Sequence, residues 1–196
     1  KTARAFLKKM NISTPQNKLK IHVLNKHTPI EEIQSFLNSC RNGSNIGLIS
    51  EAGCPGIADP GSEITNMAHN EDIQVVPLVG PSSILLALMA SGMNGQSFTF
   101  IGYLPIEKSE RKKKLQSLEK KSRNYNQTQI FIETPYRNDK LIDSIYQNLH
   151  GNTKLCIACN LSLNSEYIKT KTVNEWKKVS KPDIKKRPCV FLIHAH

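Results

Sequence analysis

The sequence predicts an α/β fold in two domains with substantially parallel sheets, and three observations carry that expectation. Short apolar runs recur along the chain, each followed by a polar loop and then a segment with helical periodicity. The loops concentrate Gly, Pro and Ser at strand-to-helix transitions, as in "SEAGCPGIADPG" (residues 50–61) and "PLVGPSS" (residues 77–83). A small-residue stretch, "ASGMNGQS" (residues 90–97), separates two halves of about a hundred residues, each of viable domain size. The expected domains are residues 1–94 and 95–196.

Taken in order, helix-like patterns cover residues 2–10, 29–39, 61–69, 82–91, 107–122 and 137–149. Strand-like patterns cover residues 46–49, 73–78, 97–101, 129–133, 154–159 and 188–194. "ADPGSE" reads as a helix start, with Asp59 as N-cap and Pro60 as the first helical residue. Pro135 in "ETPYRN" opens the next helical stretch. Ile84, Leu85, Leu88 and Met89 form an apolar helical stripe and are expected in the core. Trp176 is expected to be half-buried, with nothing tying it to base stacking. No internal repeat or low-complexity segment is present.

In an open α/β sheet, ligands bind beyond the carboxyl ends of the strands, where these loops lie. Gly53, Gly56 and Gly61 allow positive φ and close backbone approach, while Pro55 and Pro60 stiffen the first loop. Two such loops on consecutive strand ends would lie side by side, in a pocket of backbone amides and carbonyls suited to a nucleoside-like ligand. Neither loop has the GxGxxG order of a dinucleotide site or a Walker lysine. Glu51 reads as a pocket acid or as a surface loop acid. Ser82 and Ser83 read as ligand contacts or as caps of the following helix. Glu133, Tyr136 and Arg137 stand at a strand end, where catalytic groups often emerge and where strands also simply stop.

Charge narrows the partner class. Lys and Arg number 27 against 16 Asp and Glu, a net charge of +11. The excess clusters in "KSERKKK" (residues 108–114), at Lys120 and Lys121, at Lys177 and Lys178, and in "KKR" (residues 185–187). Such clusters favour polyanions through counterion release, although any one run also fits a solvated helix face. The candidate phosphate contacts are Lys108, Arg111, Lys112, Lys113 and Lys114. Leu115 and Leu118 mark the apolar positions of that helix and leave its lysines outward.

Other classes are disfavoured. No apolar run reaches the roughly 18 residues of a membrane helix, and residues 1–10 lack the apolar core of a secretory signal. Cys156 and Cys159 form a CxxC inside a strand-like run, without the second pair a zinc site needs. The 5 cysteines are therefore read as structural thiols in a reducing cytoplasm, and the 6 scattered histidines make no metal motif.

The ordered stretches "SEAGCPGIADPG", "VVPLVGPSSILLALMASG", "FTFIGYLP" with "KSERKKK", and "IFIETPYRN" closely resemble the tetrapyrrole-methylase superfamily. The nearest branch is the ribosomal RNA small-subunit methyltransferase I type, and the resemblance runs from about Lys1 to Val190. It implies S-adenosylmethionine as methyl donor, held in a cleft between two α/β domains, a cytidine 2′-hydroxyl of ribosomal RNA as acceptor, and a homodimer. By that resemblance Gly53, Cys54, Pro55, Ile57, Gly80, Ser82 and Ser83 contact the donor, and Thr134, Leu161, Pro188, Cys189 and Val190 complete the site.

Two departures stand out. The branch usually carries Asp-Ala-Gly-Thr-Pro where this chain has Glu51-Ala52-Gly53-Cys54-Pro55, so a longer carboxylate and a thiol alter the donor side. The family also begins with a strand and loop, whereas this chain starts at a helix, leaving the expected pocket without one wall. Methyl transfer to a ribose hydroxyl needs alignment, exclusion of water and a base near the departing proton, for which Glu51 and Glu133 are the candidates. No metal is required. The alternatives are a small-molecule methyltransferase acting on a corrin or porphyrin precursor, and a non-catalytic RNA-binding relative.

Overall fold

The computed structural model describes residues 2–10, 12, 14–51 and 53–196. Its contacts divide the chain into two units, Lys1–Pro81 and Ser82–His196. The sequence placed the division at residues 90–97. Helix α5 (Ser83–Ser91) accounts for the difference, because it buries Ala87 and Leu88 with sheet residues of the second unit.

In the first unit the described helices are α1 (Thr2–Lys9), α2 (Ile30–Phe36), α3 (Asn38–Arg41) and α4 (Ser62–Asn70). Ile33 and Phe36 of α2 pack with Leu37 and with Ile64 and Ala68 of α4, an i, i+3/i+4 pairing of two short amphipathic helices. Arg41 clamps Glu71 with two nitrogens, at 2.7 and 2.5 Å, and the guanidinium holds that carboxyl below its usual range. The strands expected at residues 46–49 and 73–78 are not formed among the described residues. A strand exists only through a ladder partner. Both segments run without one, leaving Ile49, Val76 and Leu78 exposed.

The second unit holds a five-stranded sheet in the order β1-β2-β5-β3-β4: β1 (Phe98–Tyr103), β2 (Thr128–Glu133), β3 (Lys154–Cys159), β4 (Tyr167–Thr172) and β5 (Cys189–His194). Only β1 and β2 pair in parallel; β2–β5, β5–β3 and β3–β4 are antiparallel. The sheet is thus mixed, and the expectation of a substantially parallel one is corrected. "CVFLIH" and "KLCIAC" are apolar enough for strands buried on both faces, which suits central positions of either polarity.

The central strands alternate cleanly. Cys189, Phe191 and Ile193 join Leu155, Ile157 and Cys159 on one face, beneath α6 (Lys108–Tyr125), α7 (Asn138–Asn148) and α8 (Val173–Lys177). Val190 and Leu192 join Cys156 and Ala158 on the other, beneath α5. Leu88 packs there as expected and Ile84 lies against it, but Leu85 and Met89 are exposed, because α5 offers the sheet only one face of an all-round apolar helix. Trp176 is buried rather than half-buried, its indole Nε1 donating to the Leu155 carbonyl at 2.9 Å. All five cysteines are free, and burial pushes the Cys156 and Cys189 thiols up, keeping them protonated.

β4 and α8 went unseen in the sequence. Edge lysines Lys169 and Lys171 blur the apolar pattern of β4, as befits an edge strand. The Thr172–Glu175 capping box that starts α8 was the signal to read.

Candidate functional site

The glycine-rich loop of the first unit has the conformations its composition demands. Gly53, Gly56 and Gly61 all have positive φ, and a side chain at Gly61 (φ 153°) would meet Leu48 at 2.9 Å. Helix α4 starts at Ser62 with Gly61 as N-cap, two residues later than the Asp59–Pro60 start expected, because Asp59 makes no cap bond and Gly61 turns the chain. Ala52 lies outside the described residues. The Cys54 Sγ donates to the Pro81 carbonyl at 3.7 Å, so the first loop and the loop at Gly80 lie side by side. Gly53, Pro55, Ile57 and Gly80 are exposed, and Gly80 has an ordinary φ with open space around its Cα. Glu51 is exposed and accepts a hydrogen bond from the Thr2 hydroxyl at 2.9 Å.

In the second unit, strand pairing gathers the remaining donor candidates at one end of the sheet's central strands. Glu133 pairs with Cys189, and Cys159 pairs with Cys189 from the other side. The C-terminal ends of β2 and β3 therefore meet the start of β5, which brings Thr134, Leu161 and Pro188 together. The Asn160 amide donates to the Pro188 carbonyl at 3.0 Å and ties the last two segments. Pro188 is exposed, whereas Cys189 and Val190 are buried beneath it. Ser82, the N-cap of α5, makes no side-chain cap bond, and among the described residues the hydroxyls of Ser82, Ser83 and Thr134 make no hydrogen bond.

Glu133 is a buried acid with a partner. Its Oε1 accepts from Arg137 Nε at 2.9 Å, from an Arg137 terminal nitrogen at 2.6 Å and from the Thr134 amide at 2.6 Å. That arrangement braces the 134–137 turn, in which Pro135 takes the first position of a 3₁₀ turn.

The lysine helix begins at Glu107, whose side chain accepts from the Glu110 amide at 2.9 Å. Arg111, Leu115, Leu118 and Ser122 form its buried stripe, and Lys108, Lys112 and Lys113 are exposed, with Lys114 half-buried. Arg111 is the correction among the expected phosphate contacts. It is buried, with Nε donating to the Ser144 hydroxyl at 3.0 Å and a terminal nitrogen to the Ile106 carbonyl at 2.7 Å. Its position in the i, i+4, i+7 stripe with Leu115 and Leu118 carried that signal.

Asn138, which the sequence did not mark, is fully buried; its amide donates to the carbonyls of Ile184 and Arg187 at 3.0 and 2.8 Å. It anchors the segment that leads into Pro188. Among the described residues, no helix is long and apolar enough to cross a membrane, and no group of three His, Cys, Asp or Glu stands placed to hold a metal ion.

A sequence model of the tetrapyrrole (corrin/porphyrin) methylases matches residues 1–176. A ribosomal RNA small subunit methyltransferase I of Vibrio cholerae is 32% identical over 195 residues, covering 97% of this chain and 64% of that protein. The Bacillus subtilis protein of the same name is 36% identical over 154 residues, covering 79% of this chain and 50% of its own. The chain spans about half to two thirds of the length of the curated relatives it matches. Among solved structures, the methyltransferase CobJ superposes with a TM-score of 0.60 at 16% identity, covering 92% of this chain and 77% of its own. The cobalt precorrin-4 methyltransferase CbiF superposes with a TM-score of 0.53 at 16% identity, covering 86% and 72%. These two likenesses establish a shared fold.

Proposed function

Because the chain belongs to the tetrapyrrole (corrin/porphyrin) methylase family, we infer that it is an S-adenosylmethionine-dependent methyltransferase whose acceptor is a ribose 2′-hydroxyl of small-subunit ribosomal RNA. The observation that carries the acceptor is the 32% identity to the Vibrio cholerae ribosomal RNA methyltransferase across nearly the whole chain. The exposed lysines of α6 support it, since a polyanion is the partner such a surface attracts.

The residues present fit a polar, nucleoside-bearing donor. Three uncommitted hydroxyls, of Ser82, Ser83 and Thr134, stand at the start of α5 and the end of β2, and the loops joined through Cys54 and Pro81 offer exposed backbone. The family resemblance proposes Gly53, Cys54, Pro55, Ile57 and Gly80, and separately Ser82, Ser83, Thr134, Leu161 and Pro188 to Val190, as the donor's contacts. When bound, S-adenosylmethionine supplies a methyl group already activated by its sulfonium. The protein's own task is then to orient the hydroxyl, exclude water and accept a proton. Glu133 serves that task by fixing the 134–137 turn; Glu51, exposed and hydrogen-bonded to Thr2, is the freer carboxylate. The reading includes a homodimer working in the cytoplasm, which sedimentation of the purified chain addresses.

The test is transfer of labelled methyl from S-adenosylmethionine to small-subunit ribosomal RNA, followed by nuclease digestion and identification of a 2′-O-methylated nucleoside. Label found on a corrin precursor and not on RNA overturns the acceptor assignment.

A further inference from the structure

A cavity of about 620 Å³ opens at the end of β1 and β2 in the second unit, lined by Tyr103, Leu104, Ile106, Lys114, Thr134 and Arg137 among others. Its size falls within the range of small-ligand sites. A bulge shapes its wall. Phe100 pairs with Ile130 while Tyr103 pairs with Ile132, so three steps of β1 span two of β2, and Gly102 (φ 76°) absorbs the extra residue. The bulge re-aims Tyr103, which is 56% exposed on the cavity wall. Arg111 holds the carbonyls of Pro105 and Ile106 from below, at 3.4 and 2.7 Å, so the loop is braced before any ligand arrives.

The lining combines two chemistries. Lys114 has no hydrogen bond or ion pair among the described residues, whereas Arg137 shares its charge with Glu133. One uncompensated cation therefore stands beside an exposed phenol ring and the apolar surface of Leu104 and Ile106. A single phosphate next to a flat aromatic base matches that set.

The cavity also differs from the donor candidates Val190 and Leu161, though not from Cys189, in the sheet face it uses. Leu104 packs with the cluster beneath α6 and α7, whereas Val190 and Leu161 belong to the cluster beneath α5. Only Thr134 belongs to both groups.

We propose that this cavity is an acceptor subsite that binds one unpaired nucleotide of single-stranded RNA, its base stacked on Tyr103 and its phosphate on Lys114. The proposal rests on the RNA acceptor reading above and adds the residues that hold a nucleotide. Because Thr134 borders both groups, the bound nucleotide lies adjacent to the one presented for methylation.

The test is fluorescence anisotropy on the 196-residue chain. Its probes are a labelled single-stranded oligocytidylate of about 12 nucleotides and an abasic ribose-phosphate oligomer of the same length. Tyr103→Ala is expected to weaken oligocytidylate binding by about 5- to 150-fold, the range for one stacked base, and to leave the abasic oligomer unaffected. Lys114→Met is expected to lower the slope of log K against log salt by about 0.7 for both probes. Thermal melting confirms that both surface variants fold. If Tyr103→Ala binds oligocytidylate as wild type does, or Lys114→Met leaves the salt slope unchanged, the subsite is overturned while the RNA reading stands. A wild-type chain that binds neither probe at low salt overturns both.

Discussion

Arg137 donates two hydrogen bonds to one oxygen of Glu133, at 2.9 and 2.6 Å, across a single turn in which the carboxylate side chain is 1% exposed and the guanidinium 29%. The carboxylate is thereby committed to the turn that carries Thr134 and borders the cavity. Glu133→Gln keeps an acceptor in place, and methyl transfer is expected to stay within about tenfold of wild type. Loss of a general base would instead cost about 10²- to 10⁴-fold. Glu133→Ala is expected to lower stability by about 3 kcal/mol, the low end for breaking a buried pair, since Arg137 retains solvent. Single-turnover kinetics and denaturant melts read the two outcomes.

Gly102 occupies φ 76° inside β1, with nothing within 4 Å of the position a Cβ would take, so only backbone strain opposes a side chain there. Gly102→Ala is expected to cost about 1–2 kcal/mol and to weaken RNA binding through Tyr103. Urea denaturation and anisotropy on the same variant check both effects. A neutral substitution would mean the bulge relaxes without cost.

Arg111 sits in the lysine run yet faces inward. Arg111→Met is expected to destabilise by about 1–3 kcal/mol through the unpaired Ile106 carbonyl and Ser144 hydroxyl, while leaving the salt slope of RNA binding unchanged. Replacing the exposed Lys112 and Lys113 should do the reverse, lowering the slope by about 0.7 for each phosphate no longer neutralised, with stability unchanged. A salt titration beside a melt separates the two behaviours.

His194 is buried at the end of β5, and desolvation, followed by His196 and Lys154, lowers its pKa despite a hydrogen bond with the Asn126 backbone. The folded state therefore binds fewer protons than the unfolded one between that depressed value and the ordinary one near 6.5. Stability is full above about pH 6.5 and falls as the pH drops through this window, by at most about 1.4 kcal/mol per pH unit from this group. His194→Leu is expected to flatten that part of the profile, whatever it does to the absolute stability, as melts at stepped pH will show.

Most of the second unit was legible as local pattern. Leu115 and Leu118 of α6, Pro135 opening its turn, and the apolar runs of β2, β3 and β5 need only neighbours in sequence to declare themselves. The donor candidates Thr134, Leu161 and Pro188 were named from motif resemblance, and the ladder pairs Glu133–Cys189 and Cys159–Cys189 bring their segments to one end of the sheet. In the first unit, "NIGLI" and "IQVVPL" have strand composition, but a strand needs a partner and composition names none.

By itself, then, the sequence determined the family, the helical stripes, the glycine positions of the first loop and the basic character of the surface, because propensity, spacing and charge are properties of the chain read locally. Tertiary structure decided the rest. Only packing could reverse β5 against β2, since a run buried on both faces fits a parallel or an antiparallel ladder equally well. Only packing could withdraw Arg111 from solvent while leaving Lys112 and Lys113 in it, because a cation is buried where carbonyls and a hydroxyl from other segments replace its water. And only the three-against-two pairing of β1 with β2 turns Tyr103 onto a cavity wall beside Lys114, since a bulge is a relation between two strands.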